Sequence, residues 1–388
     1  MKTLALMATL WTSGCTAPDA TSGPAPPPRS CQPGEVAYAQ GVAYADLQSA
    51  ADSLSHGGRI TLCPGTHAVS GVVLDARPGR IELVGATGDP NDVILDGGRS
   101  GDMIVLYADG EYLLEAFTTT NTGLDYGYGH AITVSPIGDT SVTLRRIVSE
   151  NHVGAQQSLD LDGSNILVED CEFRDYPTLS AGVIGATMDN WNPTSFIVRR
   201  TIFDNIDSQN SGQFTVNVGS NQGHADRVVL EDVQFINGSN FALSIGGEGA
   251  DTTVLLDNVT ISDVDRGPAP GFNWAAVVNA FGPDFRLGMR NVSIHDNTAL
   301  SDSGLKLGTR TPPNRAEAVI VDSAFLRNIS SRYAWSPALT IDDGWRVRFR
   351  DTDFGLGADD NSADIGGCPL DLGVVSGVVD PLRGDDCP

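Results

Sequence analysis

Two short stretches hold the side chains best suited to chemistry. In SLDLDG, residues 158–163, Asp160 and Asp162 alternate with Leu159 and Leu161. On an extended strand this alternation puts both carboxylates on one face, about 7 Å apart, and the leucines on the other. Such a pair suits a calcium ion or a division of acid and base roles. The plainer reading is a solvated polar face closed by a turn at Gly163. His130, in GYGHAITV, lies one repeat earlier and is expected to contact substrate. The second stretch is GLKLGTR, residues 304–310, with Lys306 the only lysine after residue 2 and Arg310 just behind it. Asp342 and Asp343 occupy the following repeat. A lysine near carboxylates suits proton abstraction beside a carboxyl group, the chemistry of a lyase. A surface ion pair with Asp342 is the plainer alternative.

Other residues carry weaker signals. DTDFGLGADDNSAD, residues 351–364, gathers Asp353, Asp359 and Asp360 in a glycine-containing loop. That composition suits calcium, although the spacing is not that of a helix-loop-helix site. Trp191, Trp274, Trp335 and Trp345 stand in expected loops, where an indole face can stack on a sugar or anchor the loop. No phosphate-cradling glycine loop and no serine nucleophile elbow is present.

The chain has 388 residues, 40% hydrophobic, with 44 glycines, 21 prolines and a formal net charge of -25. It can bury a large core, and the turn-forming composition favours an all-β fold. The charge repels nucleic acid, anionic membrane surfaces and polyanionic ligands, unless a divalent cation stands between.

Residues 1–14 read as an export signal: Lys2, an apolar run from Leu4 to Trp11, then small residues before Cys15. The run is too short to span a membrane. It resembles a bacterial lipoprotein signal, and the resemblance implies lipidation of Cys15. Thr12 departs from the aliphatic residue usual at its place, and ordinary secretion is the alternative. Residues 15–30 are a Pro-rich tether without apolar periodicity. Export permits disulfides, and Cys31 with Cys63 and Cys368 with Cys387 are the expected pairs, leaving Cys171 as a buried thiol.

These elements must be held by something, and the sequence supplies a repeat. An apolar anchor recurs at Leu114, Leu144, Val168, Val198, Leu230, Leu256, Met289, Val321 and Phe349, every 24 to 33 residues. Five residues beyond it most copies place a large apolar residue, among them Phe173, Phe203, Phe235 and Leu326. Seven beyond stands Asn or Asp in eight of nine copies, from Asn121 and Asn151 to Asp296 and Asn328. Constant strands with variable connections predict a solenoid, and short strands without intervening helices predict a parallel β-helix. The Asn/Asp column suits a sharp corner, because these residues tolerate the left-handed conformation. A second strand series, including HAITV, SLDLD, FTVNV and GLKLG, should present an outward row of Thr133, Asp160, Asn217, Ser244, Lys306 and Thr340. With coils about 4.8 Å apart, ten or eleven make a rod of about 50 Å and separate the two clusters by roughly 24 Å.

Before the first coil, Leu47, Ala50, Ala51 and Leu54 predict a one-faced helix ending in glycine, a cap for the open end. ADLQSAADSLSHGGRITLCPGTH resembles the opening of the pectin-lyase-like superfamily of right-handed β-helix proteins. The resemblance spans about residues 36–366 and implies an all-β, single-stranded right-handed parallel β-helix with an N-terminal capping helix. The cap should cover residues 31–58, the solenoid 59–366 and a disulfide-pinned tail 367–388. The superfamily contains lyases, hydrolases, esterases, epimerases and non-enzymatic surface proteins. The resemblance therefore implies contact with extracellular polysaccharide on the loop-decorated face, with lyase or hydrolase chemistry, or alternatively a non-catalytic adhesin or spacer. Complete catalytic sets of polygalacturonase-like hydrolases and pectate lyases are absent. An outer-membrane or cell-surface monomer, attached only through Cys15, is expected.

Overall fold

The computed structural model describes residues 31–55, 57–76, 79–107, 109–123, 129–135, 140–154, 158–162, 165–179, 182–188, 195–218, 226–247, 251–265, 274–282, 284–299, 304–309, 316–330, 337–342, 345–354, 363–367 and 375–376. They form an all-β parallel solenoid, as the repeat predicts. The first strand series stacks Ile60, Leu83, Leu114, Leu144, Val168, Val198, Leu230, Leu256, Met289, Ile320 and Phe349 in register. All are at most 2% exposed. These eleven in-register positions, one per coil, give one continuous apolar column along the axis. Parallel crossovers of this kind coil right-handedly.

The coils from Leu114 to Ile320 each turn two sharp corners. Ala116, Arg146, Asp170, Arg200, Asp232, Asn258, Asn291, Asp322 and Asp351 take φ of 45–60°, and so do Asn121, Asn151, Asp175, Asn205, Asn237, Asp263 and Asp296. Side chains knit the corners from coil to coil. Asn151 Nδ2 donates to Asn121 Oδ1 at 2.7 Å, and Asn205 Nδ2 to Asp175 Oδ1 at 2.7 Å.

One copy sits a residue earlier than the pattern suggests. Ile320, rather than Val321, pairs with Met289 and Phe349. Consequently Phe325, not Leu326, enters the core, and Arg327 takes the left-handed corner at φ 51° in place of Asn328. A one-residue slip exchanges inward and outward faces, so burial decides it. Arg327 keeps the corner tied by donating to both oxygens of Asp296, at 2.5 and 2.6 Å. Asn328 turns inward, accepting from Asn297 Nδ2 at 2.8 Å and donating to Ile294 O at 2.8 Å.

Inside, Phe173, Phe203 and Phe235 stack with centroids 4.9 and 4.6 Å apart, matching the coil spacing. The N-terminal end is closed by a helix at Leu47–Asp52, N-capped by Asp46, with Leu47, Ala50 and Ala51 buried. It stops at Ser53 rather than at a glycine, and Leu54 joins the core beyond its end. The Gln48 side-chain amide accepts from Val73 N at 2.8 Å and donates to Val73 O at 3.4 Å, filling the edge of the first outward-facing strand, Val72–Asp75. Ala37–Ala39 lies antiparallel to Gly58–Leu62, and the expected Cys31–Cys63 disulfide ties this cap to the first coil. Cys171 is buried and unbridged, and desolvation pushes its thiol up to about 12.

Candidate functional site

The site face is built by the other strand series: Val72–Asp75, Ile104–Tyr107, Ile132–Ser135, Leu159–Leu161, Ile184–Met188, the end of Ser195–Val218, Ser239–Gly247, Ala276–Ala280, Leu305–Thr309 and Pro337–Ile341. Leu159, Leu161, Leu305 and Leu307 are fully buried, which turns Asp160 and Lys306 outward. In register the row runs Val105, Thr133, Asp160, Gly185, Thr215, Ser244, Val277, Lys306, Thr340. Thr215 holds the place expected for Asn217. The backbone of Asn217 falls two residues on, level with Thr187, Gly246, Asn279 and Gly308. Asp160 and Lys306 are five register steps apart, so the expected separation of about 24 Å stands.

At the N-terminal end of the face the structure joins His130 to a residue the repeat did not flag. Asp102 Oδ1 lies 3.0 Å from His130 Nδ1 and accepts from His130 N at 2.9 Å. The imidazole is buried with 7% of its side chain exposed, whereas Asp102 keeps 40%. The hydrogen bond from His130 holds the Asp102 carboxyl below the usual carboxylate range, against a smaller opposing effect of burial. Asp160, on the next coil, shifts the other way. Burial raises its proton affinity, His130 opposes the shift and the charge of Asp102 adds to it. The three groups therefore feel one another electrostatically across three coils.

At the opposite end Lys306 Nζ stands 3.5 Å from Asp342 Oδ2 and 4.5 Å from the centroid of the Trp274 ring. Asp342 is fixed in turn: its N–H donates to Leu307 O at 2.9 Å, and Oδ2 accepts from Thr309 N at 3.3 Å. The ammonium is engaged by both the Asp342 carboxylate and the Trp274 ring, so the arrangement suits binding better than proton abstraction. The Trp274 indole N–H and the Thr340 hydroxyl are shielded from solvent and find no hydrogen-bond partner among the described residues.

The remaining expectations divide. Trp345 is core rather than loop: it is 2% exposed and donates from Nε1 to Gly308 O at 3.0 Å. Asp353 is exposed and in register with Ala324, on a strand series other than that of Asp160 and Asp162. Among the described residues no three His, Cys, Asp or Glu side chains converge as a metal-holding group. Cys15, Trp191, Arg310, Trp335, Asp343, Asp359, Asp360, Cys368 and Cys387 lie outside the described residues, as does the side chain of Asn217. A serine–histidine pair that sequence reading missed, Ser149 and His152 at 3.0 Å, is fully buried among Thr119, Thr122 and Tyr176. Its lack of solvent access makes it part of the scaffold.

No protein-family model matches the chain, and no curated protein matches it. Among solved structures it is similar to the A-module of the mannuronan C-5 epimerase AlgE4 from Azotobacter vinelandii. Identity is 15% over 86% of this chain and 93% of that one, with a TM-score of 0.40. It is also similar to the catalytic domain of a GH87 α-1,3-glucanase in complex with nigerose, at 13% identity, covering 91% and 69%, with a TM-score of 0.39.

Proposed function

We propose that this chain is an exported polysaccharide-binding β-solenoid that lays an uncharged glycan along the outward face between Asp160 and Lys306. The observation that carries the reading is the Lys306 end of the face. There an indole ring, an ammonium and the carboxylate paired with it meet beside one rigid strand row. A sugar supplies a C–H face for the indole ring and hydroxyls for the part-exposed Lys306 ammonium and Asp342 carboxylate. The face is elongated, which fits a chain-like ligand better than a compact one. Its carboxylates and the net charge of -25 disfavour a polyanion, since Asp342 already neutralises Lys306. Export is supported by the signal-like N terminus and by the Cys31–Cys63 bridge, which an oxidising compartment would preserve. Cys15 is the proposed point of attachment to the outer membrane or cell surface.

The test is a glycan array with the full chain, followed by affinity measurement on the best uncharged hit. Trp274→Ala should weaken binding about tenfold or more while the far-ultraviolet spectrum stays unchanged, because stacked aromatic contacts are worth about 0.5–1.5 kcal/mol beyond the area they bury. Retention of polyanions alone, or wild-type affinity in Trp274→Ala, would overturn the reading.

A further inference from the structure

The outward face does not end at Asp160. On the coils nearer the N terminus it turns apolar. Val73 and Tyr107, two of the four large apolar residues that stand exposed among the described residues, are 41% and 38% exposed. Both project outward because Val72, Leu74, Ile104 and Leu106 take the inward positions of their strands. Val73 pairs with Val105 and Asp75 with Tyr107, so the two side chains sit on adjacent coils with Val105 beside them. Gln48 fills the backbone edge of Val73 and leaves its side chain in water. We propose that the Tyr107 patch is a second sugar platform, and that the ligand is an extended, uncharged glycan long enough to rest on Tyr107 and Trp274 at once. The inference rests on the glycan-binding reading and names its ligand class.

The patch suits the same kind of ligand as the Lys306 end. The row Val73, Val105, Thr133 carries no charge on a chain of net charge -25, so an uncharged ligand meets no field to oppose it there. An exposed phenol ring on a rigid strand offers the flat surface on which the C–H face of a sugar stacks. Between the two rings the row runs Thr133, Asp160, Gly185, Thr215 and Ser244, with no bulky side chain to interrupt a chain laid across it.

The span sets the length. From Val105 to Val277 there are six register steps, about 29 Å at the coil spacing. The path is oblique, since Tyr107 lies two residues beyond Val105 and Trp274 three residues before Val277. An extended hexose chain advances by about one coil spacing per sugar, so about six or seven sugars reach both rings. A di- or trisaccharide reaches one. A glycan that coils on itself leaves a straight face within that distance and engages a single platform. Two contacts on one ligand act as linked sites: the second forms intramolecularly, and only when the connecting chain can span the gap.

The experiment titrates the full chain by calorimetry with cello-, manno- and xylo-oligosaccharides from disaccharide to octasaccharide, and with malto-oligosaccharides as the coiled counterpart. In an extended series that binds, affinity should stay level up to the trisaccharide and rise about tenfold or more by the heptasaccharide. Tyr107→Ala should remove that rise and leave trisaccharide affinity unchanged, whereas Tyr107→Phe, which keeps the ring, should retain it. Trp274→Ala should weaken short and long ligands alike. Ile202→Ala, an exposed apolar residue on another strand series, should bind as wild type. Affinity independent of length, a rise that survives Tyr107→Ala, or an equally steep rise with malto-oligosaccharides overturns the inference; the binding reading then stands if Trp274→Ala still weakens the complex. Binding of none of these oligosaccharides, nor of any uncharged glycan on the array, overturns both.

Discussion

Acidification should destabilise this solenoid at a pH where its carboxylates still hold. His152 is fully buried, and desolvation lowers its pKa from 6.5 to about 3. The hydrogen bonds explain why a proton is unwelcome. Thr122 N donates to Nδ1 at 3.0 Å, so Nδ1 must accept, and the single imidazole proton sits on Nε2 facing Ser149 Oγ at 3.0 Å and Thr119 Oγ1 at 3.3 Å. Protonating Nδ1 would set two donors against each other. The native pKa is depressed, so the unfolded chain binds the proton first, and stability falls as pH drops from 6.5 towards 3. Each unit in that window costs up to about 1.4 kcal/mol, giving about 3 kcal/mol by pH 4.5 and about 5 kcal/mol in all. Carboxylates with lowered values, Asp102, Asp170 and Asp296, lose their contribution only below 3.8, in the case of Asp296 down to about 2. Asp160, whose affinity for the proton is raised, works in the opposite sense and adds stability as pH falls through its range. Between pH 6.5 and 4.5 the slope therefore belongs chiefly to His152. Urea unfolding followed by circular dichroism should show it in the wild type and not in His152→Gln, even if that variant is weaker at pH 7. Parallel stability curves for the two proteins across this window would refute the reasoning.

Further outcomes follow from other contacts. Asn297→Ala should cost about 2–4 kcal/mol in urea unfolding, because it removes the acceptor of the buried Val264 N–H and the donor to the Ile261 carbonyl and the Asn328 side-chain oxygen. Breaking the bridge with Cys31→Ser should cost about 4 kcal/mol on the chain-entropy model for residues 32 apart, read as a lower Tm, and an equal Tm would show the cap to be self-sufficient. Gly308→Ala should weaken glycan binding, since a methyl there would collide with the Asn279 side-chain oxygen, next to Lys306 on the same face. Cys15→Ser should move the protein from the membrane fraction to the soluble exported fraction, and unchanged fractionation would exclude lipidation.

The coil was legible because its signal is redundant. Leu144, Val168, Val198 and Leu230 repeat one apolar position, and the Asn/Asp corners repeat another. Pattern reading slipped where two adjacent apolar residues, Ile320 and Val321, were equally good anchors, and only burial chooses between them. The candidate site was half legible. Alternation with leucines exposes Asp160 and Lys306, since it depends only on neighbours in sequence. Asp102 was missed because it meets His130 across 28 residues of chain, and connections of variable length hide which residues become neighbours on successive coils. Trp274 was read as an aromatic loop residue, but its contact with Lys306 likewise needed the register.

The Gln48 amide has a consequence beyond sealing the molecule. A coil of this kind ends in a strand whose peptide groups are ready to accept another strand, and here one side chain imitates that next strand with its own donor and acceptor. Removing the imitation, as in Gln48→Ala, would leave a bare template facing outward, and one copy could dock its end against another. The small helix thus closes the N-terminal edge of the coil against a second copy.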